Sequence, residues 1–174
     1  FGFLTDEQQV EILEHEDRAE IARFIGELPP DDRVDLIEEV EPWIVEEIMP
    51  LIDTEERRDI QRLRQYPEGT AGAIMTTAFA RLSEDLPVEQ VKSVLREQAE
   101  DLETIYYLYV VDKEDHLRGL ISFREVVMGA PGTTVGELME RDLVSVNVLD
   151  DQEEVADKVA RYDLLAIPVV DEEH

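Results

Sequence analysis

Two aspartates, Asp31 and Asp35, lie four residues apart in a segment whose periodicity predicts a helix, and Asp32 is adjacent to the first of them. This spacing places both carboxylates on one helix face. Carboxylates so placed repel each other unless a cation or a basic group lies between them, and hard divalent cations prefer oxygen ligands. Asp is also favoured near helix N-termini by capping and by the helix dipole. The pattern alone therefore leaves a cation site and a purely structural role both open.

The whole chain is strongly acidic. Its 174 residues carry a formal net charge of −28, and 43% of them are hydrophobic. The hydrophobic share is enough for packed cores and disfavours global disorder. The charge disfavours nucleic acid and anionic membranes as partners and favours cations, although solubility or salt adaptation would also explain it. The chain has no Cys, which excludes disulfides and thiolate metal sites.

The first part of the chain, residues 1–66, has helical periodicity and almost no strand pattern. Thr5 is the predicted N-cap of the first helix, and Pro29-Pro30 and Pro42 mark later helix boundaries. Helices of about ten residues with short links are typical of an α-solenoid, and a plain helical bundle is the alternative. Trp43 is predicted to fill the core or an interface. The residues predicted to face the core are Ile21, Phe24, Ile25, Leu28, Val34, Ile37, Val40, Ile44, Ile48, Leu51, Ile52, Ile60 and Leu63.

A short segment, residues 67–77, follows these helices and is predicted to be a hinge. Pro67 disfavours a helical conformation at Tyr66, so the last helix is expected to end there. Gly69 and Gly72 allow backbone angles closed to other residues. The segment is therefore expected to form a tight, defined turn rather than a loose tether.

The rest of the chain contains an internal repeat of about 60 residues, with a first copy at 78–132 and a second at 133–174. The match of Val110-Val111-Asp112 with Val169-Val170-Asp171 aligns the two copies. We therefore expect an α+β fold. Because the second copy breaks off where its hairpin partner would begin, we also expect the chain to be a piece of a longer one. The first copy is predicted to contain strand 78–82, a helix from Pro87, buried strand 104–112, turn 113–116, strand 117–123 and helix 124–128; the second, strand 144–146, helix 151–162 and strand 166–171.

These patterns resemble known families. The paired copies resemble cystathionine-β-synthase-type (CBS) domains, which usually form tandem pairs and often hold adenosine nucleotides between them. The short helices, the hinge sequence Tyr-Pro-Glu-Gly-Thr-Ala-Gly-x-x-Met-Thr at 66–76, and the segments 103–112 and 151–156 are together similar to the cytosolic part of MgtE-type magnesium channels and transporters. The similarity covers essentially all 174 residues. It implies an all-α superhelical N-terminal domain, then a CBS pair whose second copy is truncated.

The resemblance also implies which residues bind Mg²⁺. Asp31 and Asp35 match ligand positions of the family's helical domain. Glu153, the main-chain carbonyl of Ala160 and Asp163 match ligand positions of its second CBS copy. In the family, ions between these acidic domains hold the closed state, and further carboxylates of the site would lie beyond the end of this sequence. The alternative for Glu153 is a structural role as an acidic residue in the first turn of a helix, where the helix dipole favours negative charge. The alternative for Asp163 is a structural role as a turn residue at the end of a helix.

The same resemblance implies a role and a location. We expect a Mg²⁺-sensing regulatory region, itself soluble, at the cytoplasmic face of the cell membrane. Its partners would be a second copy, bound through the CBS domains, and a membrane pore domain of the same polypeptide that it gates. No apolar run in this sequence approaches the roughly 20 residues that a membrane span needs.

An adenosine nucleotide such as ATP is a second candidate ligand. CBS pairs that hold nucleotides often use Ser/Thr-x-x-Asp after the hairpin, with the Asp on the ribose hydroxyls. The corresponding segment here runs from Ser122 to Glu125, and Glu in place of Asp weakens the case for ribose recognition. Tyr107 and Arg124 are candidates to stack on a base and to contact phosphate, with Glu125 as the ribose candidate.

Other chemistry has little support in the sequence. His15, His116 and His174 are scattered without metal-ligand spacing, and His116 is predicted to lie in the hairpin turn. There is no Gly-Lys-Ser/Thr phosphate loop, no nucleophile–base pattern and no His-Glu-x-x-His, so no enzyme activity is expected. Two alternatives stay open: an adenine-nucleotide-sensing CBS module attached to another effector, and an acidic helical scaffold without metal sensing.

Overall fold

The structure, a computed structural model, describes residues 17–99 and 102–171. The predicted N-cap Thr5 and the histidines His15 and His174 lie outside the described residues. The chain divides into two compact units. The helical unit comprises Phe1–Glu68 and Ala73–Thr77, and the sheet unit comprises Gly69–Gly72 and Ala78–His174. The combination of helices and strands confirms the α+β prediction.

Prolines delimit the helices of the helical unit. Pro30 and Pro42 each occupy a first helical turn, where a missing N–H leaves no hydrogen bond unmade. A short 3₁₀ helix, Met49–Leu51, follows the third α-helix. The helices are α1 (Arg18–Glu27), α2 (Pro30–Glu39), α3 (Pro42–Ile48) and α4 (Thr54–Leu63).

The core of the helical unit is built from the apolar faces of these helices, and most of the predicted core residues belong to it. Phe24 and Leu28 pack against it while partly exposed. Its buried members are Ile21, Ala22, Ile25, Val34, Leu36, Ile37, Val40, Ile44, Ile48, Ile52, Ile60 and Leu63.

One residue of this unit was wrongly predicted to be buried, and a second lies outside the core. Leu51 is 52% exposed, because the α-helix gives way to a 3₁₀ turn at Met49 and the tighter turn changes the direction of the following side chains. Trp43 is also 52% exposed. Its ring lies 5.1 Å from the Arg18 guanidinium carbon, which is the geometry of a cation–π contact. Of the two roles predicted for Trp43, the exposure contradicts the core role and does not test the interface role.

The first copy in the sheet unit forms a three-stranded sheet in the order β1-β2-β3. Strand β1 pairs parallel with β2, and β2 pairs antiparallel with β3. Residues 104–112 were predicted as one buried strand, but β2 begins only at Tyr107 and buries only Leu108 and Val110, because alternate side chains point to opposite faces. Tyr106 is 69% exposed. The elements of this copy are β1 (Arg81–Leu82), α5 (Val88–Glu97), β2 (Tyr107–Val111), β3 (Leu117–Ser122) and α6 (Phe123–Met128).

The second copy repeats the beginning of the first. Its two strands pair parallel, as β1 and β2 do, with Val146 opposite Val169. None of the described helices in either unit combines the length and the apolar character that crossing a lipid bilayer demands. The elements of the second copy are α7 (Val135–Leu138), β4 (Val146–Asn147), α8 (Gln152–Tyr162) and β5 (Val169–Val170).

The segment that leads into each copy binds to the other copy. Gly69–Gly72 pairs with the residues just before α8, and the residues around Val135 pair with those just before α5. Gly69 adopts a left-handed φ of 80°, which agrees with the defined turn predicted for this segment. The exchanged hydrogen bonds are Ala71 N–H to Asp150 O (2.8 Å), Gly72 N–H to Val148 O (2.8 Å), Val135 N–H to Leu86 O (2.9 Å) and Gly136 N–H to Glu84 O (2.8 Å).

A second close approach within the sheet unit involves the middle of β3. Leu120 exchanges two backbone hydrogen bonds with Glu140, of 2.9 and 2.8 Å. A Cβ atom at the adjacent Gly119 would lie 2.8 Å from the Glu140 carbonyl oxygen and 2.6 Å from Met139 Sδ. Position 119 therefore requires glycine because any side chain would clash with Met139 and Glu140, and not because of its backbone conformation.

Candidate functional site

The first turns of α2 carry three aspartates. Pro30 starts the helix, so Asp31 and Asp32 lie in its first turn and Asp35 one turn later. The Oδ1 atom of Asp31 is buried and has no hydrogen-bond partner among the described residues. Leaving a buried acceptor unsatisfied costs about 1–3 kcal/mol, and more for a charged group. Such an atom indicates a ligand, either an ion or a water molecule.

The basic residue that lies between these aspartates in the sequence, Arg33, is engaged elsewhere. Arg33 donates from Nη2 to the Gly26 carbonyl (2.7 Å) and from Nε to the Ile25 carbonyl (3.2 Å), at the C-terminal end of α1. Its Nη2 also lies 3.9 Å from Glu56 Oε1. Within the described part of the chain, neither Asp31 nor Asp35 has an ion pair within 4.0 Å. The negative charge at the start of α2 is therefore not neutralised by Arg33.

The electrostatics of Asp35 reflect this excess charge. Partial desolvation by packed neighbours, followed by repulsion from Asp31, Asp32 and Glu38, raises the pKa of Asp35 above its usual 3.8, although the residue is exposed at the surface. Both effects disfavour the ionised carboxylate. A bound divalent cation would reverse the second effect, because it would replace repulsion by attraction. The start of α2 therefore has the oxygen donors and the unbalanced charge that a hard cation requires.

Asp35→Asn is expected to make the chain more stable than wild type near neutral pH, in the presence of chelator, and to lose this advantage in acid. A carboxyl whose pKa is raised by folding contributes stability below its unfolded pKa, 3.8 here, and that contribution is lost as the pH rises through the folded pKa. Denaturant unfolding at a series of pH values, followed by the fluorescence of Trp43, measures the difference. Glu46→Gln, on α3, is the charge-matched control. An advantage that grows toward acid pH would contradict the assignment.

The other predicted cation ligands lie on α8, and the structure divides them between its two ends. Glu153 is in the first turn, where Asp151 caps the helix by accepting its N–H (2.8 Å). Asp163 is the C-cap, ten residues later, which corresponds to about 15 Å along a helix axis. One ion therefore cannot bind both Glu153 and Asp163 directly. Ala160 and Asp163 are close in sequence and belong to the same end of the helix.

The C-terminal end of α8 is suited to a cation. In a continuing α-helix, the N–H of Leu164 would donate to the Ala160 carbonyl, but here it donates to the Val159 carbonyl (3.1 Å). The Ala160 carbonyl is therefore one of the acceptors at the helix end that have no partner within the helix. Asp163 adopts a left-handed conformation, with φ 52° and ψ 44°. Glycine would fill that position with less strain, so the carboxylate is kept at a conformational cost. Helix C-termini also favour positive charge.

The structure brings the three nucleotide candidates to one end of the β2–β3 hairpin. Tyr107 is the register partner of Ser122, which is the N-cap of α6, and Arg124 and Glu125 lie in the first turn of that helix. Glu125 closes a capping box: its Oε2 accepts from the N–H (2.9 Å) and from the hydroxyl (2.8 Å) of Ser122. Arg124 is exposed. The Glu125 carboxylate is thus already used to start α6, and ribose binding would compete with that role.

A cluster that the sequence analysis missed lies at the hairpin turn. Asp112, Glu114 and His116 place one potential metal-ligand atom each within 4.8 Å of the others. Partial desolvation raises the pKa of Asp112, but hydrogen bonds from His116 and Glu114 outweigh it, so the net pKa is lowered. His116 was predicted to lie in the hairpin turn without metal-ligand spacing to the other histidines. The pattern Asp-x-Glu-x-His across a predicted turn was the signal that could have found the cluster.

Comparisons with known families agree with both parts of the chain. Residues 1–69 match a family described as the MgtE intracellular N domain. Residues 71–130 and 135–174 match the CBS domain family. The magnesium transporter MgtE of Thermus thermophilus is 40% identical over 146 residues, which cover 82% of this chain and 32% of that protein. The chain spans 26–38% of the length of the curated relatives it matches.

Two solved structures are similar to the whole chain. The soluble part of a magnesium transporter superposes with a TM-score of 0.91 at 36% identity, over 96% of this chain and 65% of that one. The cytosolic domain of the Mg²⁺ channel MgtE in complex with ATP superposes with a TM-score of 0.72 at 31% identity, over 99% of this chain and 80% of that one. These similarities confirm the fold and the family resemblance that the sequence indicated.

Proposed function

The chain belongs to the MgtE family, and from that membership we propose that it is the cytoplasmic Mg²⁺-sensing region of a magnesium-transporting membrane protein. Its family matches are an intracellular N domain and CBS domains, neither of them named for catalysis. In this proposal, Mg²⁺ bound by the acidic residues of the region holds a membrane pore of the same polypeptide closed. Transport then stops when cytosolic Mg²⁺ is sufficient.

The observation that carries the proposal is the buried, unpartnered Oδ1 atom of Asp31 beside the repelled carboxylate of Asp35. Mg²⁺ is a small hard cation that prefers oxygen ligands and keeps several of its waters. It therefore needs few direct protein bonds, and a pair of aspartates one helical turn apart offers enough. Arg33 supports the arrangement by binding the end of α1 instead of neutralising the aspartates.

A second set of proposed ligands lies at the C-terminal end of α8. The Ala160 carbonyl and the Asp163 carboxylate supply two oxygens there, and Glu153 at the other end of the helix would serve a separate ion. We propose that ions shared by the acidic residues of the helical unit and of the sheet unit stabilise the closed state. Without ions the like charges repel; with ions the repulsion falls. The ion shifts the equilibrium only because it binds the closed state more tightly.

The proposed partners are a second copy of the chain and the pore domain. The adjacent residues Val127 and Met128 are the apolar side chains of the sheet unit that we propose for an interface with another protein surface, because exposed apolar surface often marks an interaction site. Met128 and Val127 on α6 are 77% and 64% exposed. The other exposed large apolar residues of this unit are Ile105, Tyr106, Leu149, Tyr162 and Leu165.

Replacing Asp163 tests the second set of ligands without disturbing the helix end. Asp163→Asn keeps a side chain that tolerates the left-handed conformation, and Asp163→Gly removes the strain altogether. Both are expected to weaken Mg²⁺ binding on the order of tenfold, since each removes a charge-assisted contact. Isothermal titration calorimetry of the chain with Mg²⁺ measures the change.

The two Asp163 variants separate charge from backbone conformation. Asp163→Gly is expected to be at least as stable as wild type in chelator, so a weaker response to Mg²⁺ could not be attributed to unfolding. Asp157→Asn, on the same helix, is the matched control and should leave Mg²⁺ binding unchanged. Unaltered affinity in both Asp163 variants would remove this residue from the proposal.

Adenine-nucleotide binding is the second candidate function, because one similar structure is a complex with ATP. We propose Tyr107 and Arg124 as contacts for the base and the phosphates, with Glu125 restricted by its capping box. Calorimetric titration of ATP with and without Mg²⁺ distinguishes the two functions. A strong ATP response that Tyr107→Ala abolishes, together with no response to Mg²⁺, would favour a nucleotide sensor over a magnesium sensor.

A further inference from the structure

The turn between β2 and β3 carries a ligand type, the imidazole nitrogen, that the proposed Mg²⁺ sites lack. Asp112, Glu114 and His116 are alternate residues of this turn, and their ligand atoms lie within 4.8 Å of one another. Two carboxylates and an imidazole form a mixed oxygen and nitrogen donor set. Imidazole nitrogen suits Zn²⁺ and other borderline transition metals, whereas Mg²⁺ prefers oxygen alone.

The backbone of the turn already holds Asp112 in position. Its Oδ1 atom accepts the N–H groups of Glu114 and His116, each at 3.0 Å. Its Oδ2 atom lies 3.0 Å from His116 Nδ1. In a tetrahedral zinc site, bonds of 2.0–2.1 Å place neighbouring ligand atoms about 3.3 Å apart. Asp112 Oδ2 and His116 Nδ1 are therefore close to the separation that a shared metal ion needs.

We propose that the tip of the β2–β3 hairpin is a binding site for a divalent transition-metal ion of borderline hardness, with Zn²⁺ as the representative ion. Asp112 Oδ2, His116 Nδ1 and a Glu114 carboxylate oxygen are its protein ligands, and water completes the coordination. The ion binds between His116 Nδ1 and Asp112 Oδ2, in place of the direct contact of 3.0 Å between them. The site is independent of the proposed Mg²⁺ sites, because it lies on a different element and uses a nitrogen donor.

The test is calorimetric titration of the 174-residue chain with Zn²⁺ in millimolar Mg²⁺, which occupies sites made of oxygen alone. One Zn²⁺ is expected to bind per chain. His116→Ala and Asp112→Asn are each expected to weaken binding by about tenfold or more, the loss of one ligand. Asparagine still accepts the two backbone N–H groups through its carbonyl oxygen, so Asp112→Asn keeps the turn. His15→Ala is the control for binding by any imidazole of the chain.

A spectroscopic measurement makes the result independent of heat signals from other sites. Co²⁺ in place of Zn²⁺ is expected to give visible absorption bands that disappear in His116→Ala and persist in His15→Ala. Equal Zn²⁺ affinity of wild type and His116→Ala would overturn the proposal, as would complete displacement of Zn²⁺ by millimolar Mg²⁺. Either outcome would leave the proposed Mg²⁺-sensing function untouched, because that function uses none of these three residues.

Discussion

Replacing Asp31 and Asp35 together by asparagine is expected to abolish the stabilisation of the helical unit by Mg²⁺. A ligand that binds only the folded state stabilises it by about 2.7 kcal/mol when its concentration is 100 times the dissociation constant. The double variant lacks both carboxylates of the proposed α2 site, including the oxygen of Asp31 that has no partner among the described residues. Wild type should therefore gain stability with Mg²⁺, and the double variant should gain none.

Trp43 makes this measurement specific. It is the only tryptophan of the chain and it lies on α3, so its fluorescence reports unfolding of the helical unit. Denaturant unfolding in chelator and in millimolar Mg²⁺ gives the gain for each protein. The control is Glu46→Gln with Glu55→Gln, which removes the same charge from exposed positions of the same unit.

Two outcomes would contradict the α2 site. An equal loss of the Mg²⁺ effect in the control would show general screening of a highly charged chain rather than binding. An undiminished effect in Asp31→Asn/Asp35→Asn would place the ion elsewhere. No Mg²⁺ effect in wild type would favour the alternative of an acidic helical scaffold without metal sensing.

Gly119→Ala is expected to destabilise the sheet unit by about 2–3 kcal/mol, at the upper end of the range for overpacking. The new Cβ would meet the Glu140 carbonyl oxygen at 2.8 Å and Met139 Sδ at 2.6 Å. Met139 is buried in the core of the sheet unit, and the Glu140 carbonyl is held by its hydrogen bond from Leu120, so neither contact is easily relieved. Denaturant unfolding followed by far-UV circular dichroism measures the loss.

Gly69→Ala provides the comparison. Gly69 has φ 80°, and no atom lies within 4 Å of the position that its Cβ would occupy, so the cost of the substitution is conformational strain alone, about 1 kcal/mol. The double variant Gly119→Ala/Met139→Ala separates the two contacts at Gly119. If Met139→Ala restored the stability of Gly119→Ala fully, the backbone contact with Glu140 would not be the obstacle.

The sequence was sufficient for the helices and for the repeat. Proline positions and apolar periodicity predicted where α2 and α3 begin, because both act locally through missing N–H groups and helical spacing. The burial predicted for Leu51 was wrong because a 3₁₀ turn overrides local periodicity, and Trp43 lies outside the core, where it contacts the distant Arg18. The types and spacing of neighbouring residues predict neither the 3₁₀ turn nor the contact with Arg18.

The candidate sites were predictable in part. The spacing of Asp31 and Asp35 indicated a shared helix face, but only atomic positions show that Arg33 is turned to α1 and that an Asp31 oxygen is buried. The left-handed backbone of Asp163 could not be inferred from sequence, since aspartate is a rare choice there. The cluster of Asp112, Glu114 and His116 could have been found from the alternation of ligand types across the predicted turn, but the 3.0 Å contact of His116 with Asp112 is visible only in the folded hairpin.

Because the segment that leads into each copy of the repeat is hydrogen-bonded to the other copy, the two copies depend on each other for folding. Gly72 bonds to Val148, 76 positions away in the chain, so neither copy is finished until the other has been synthesised. Contacts between such distant residues slow folding, because a long loop must close before they form. Protein dissected at residue 78 would leave the carbonyls of Val148 and Asp150 without their donors. The pair is thus interlocked: it is expected to assemble, and to come apart, in a single cooperative step.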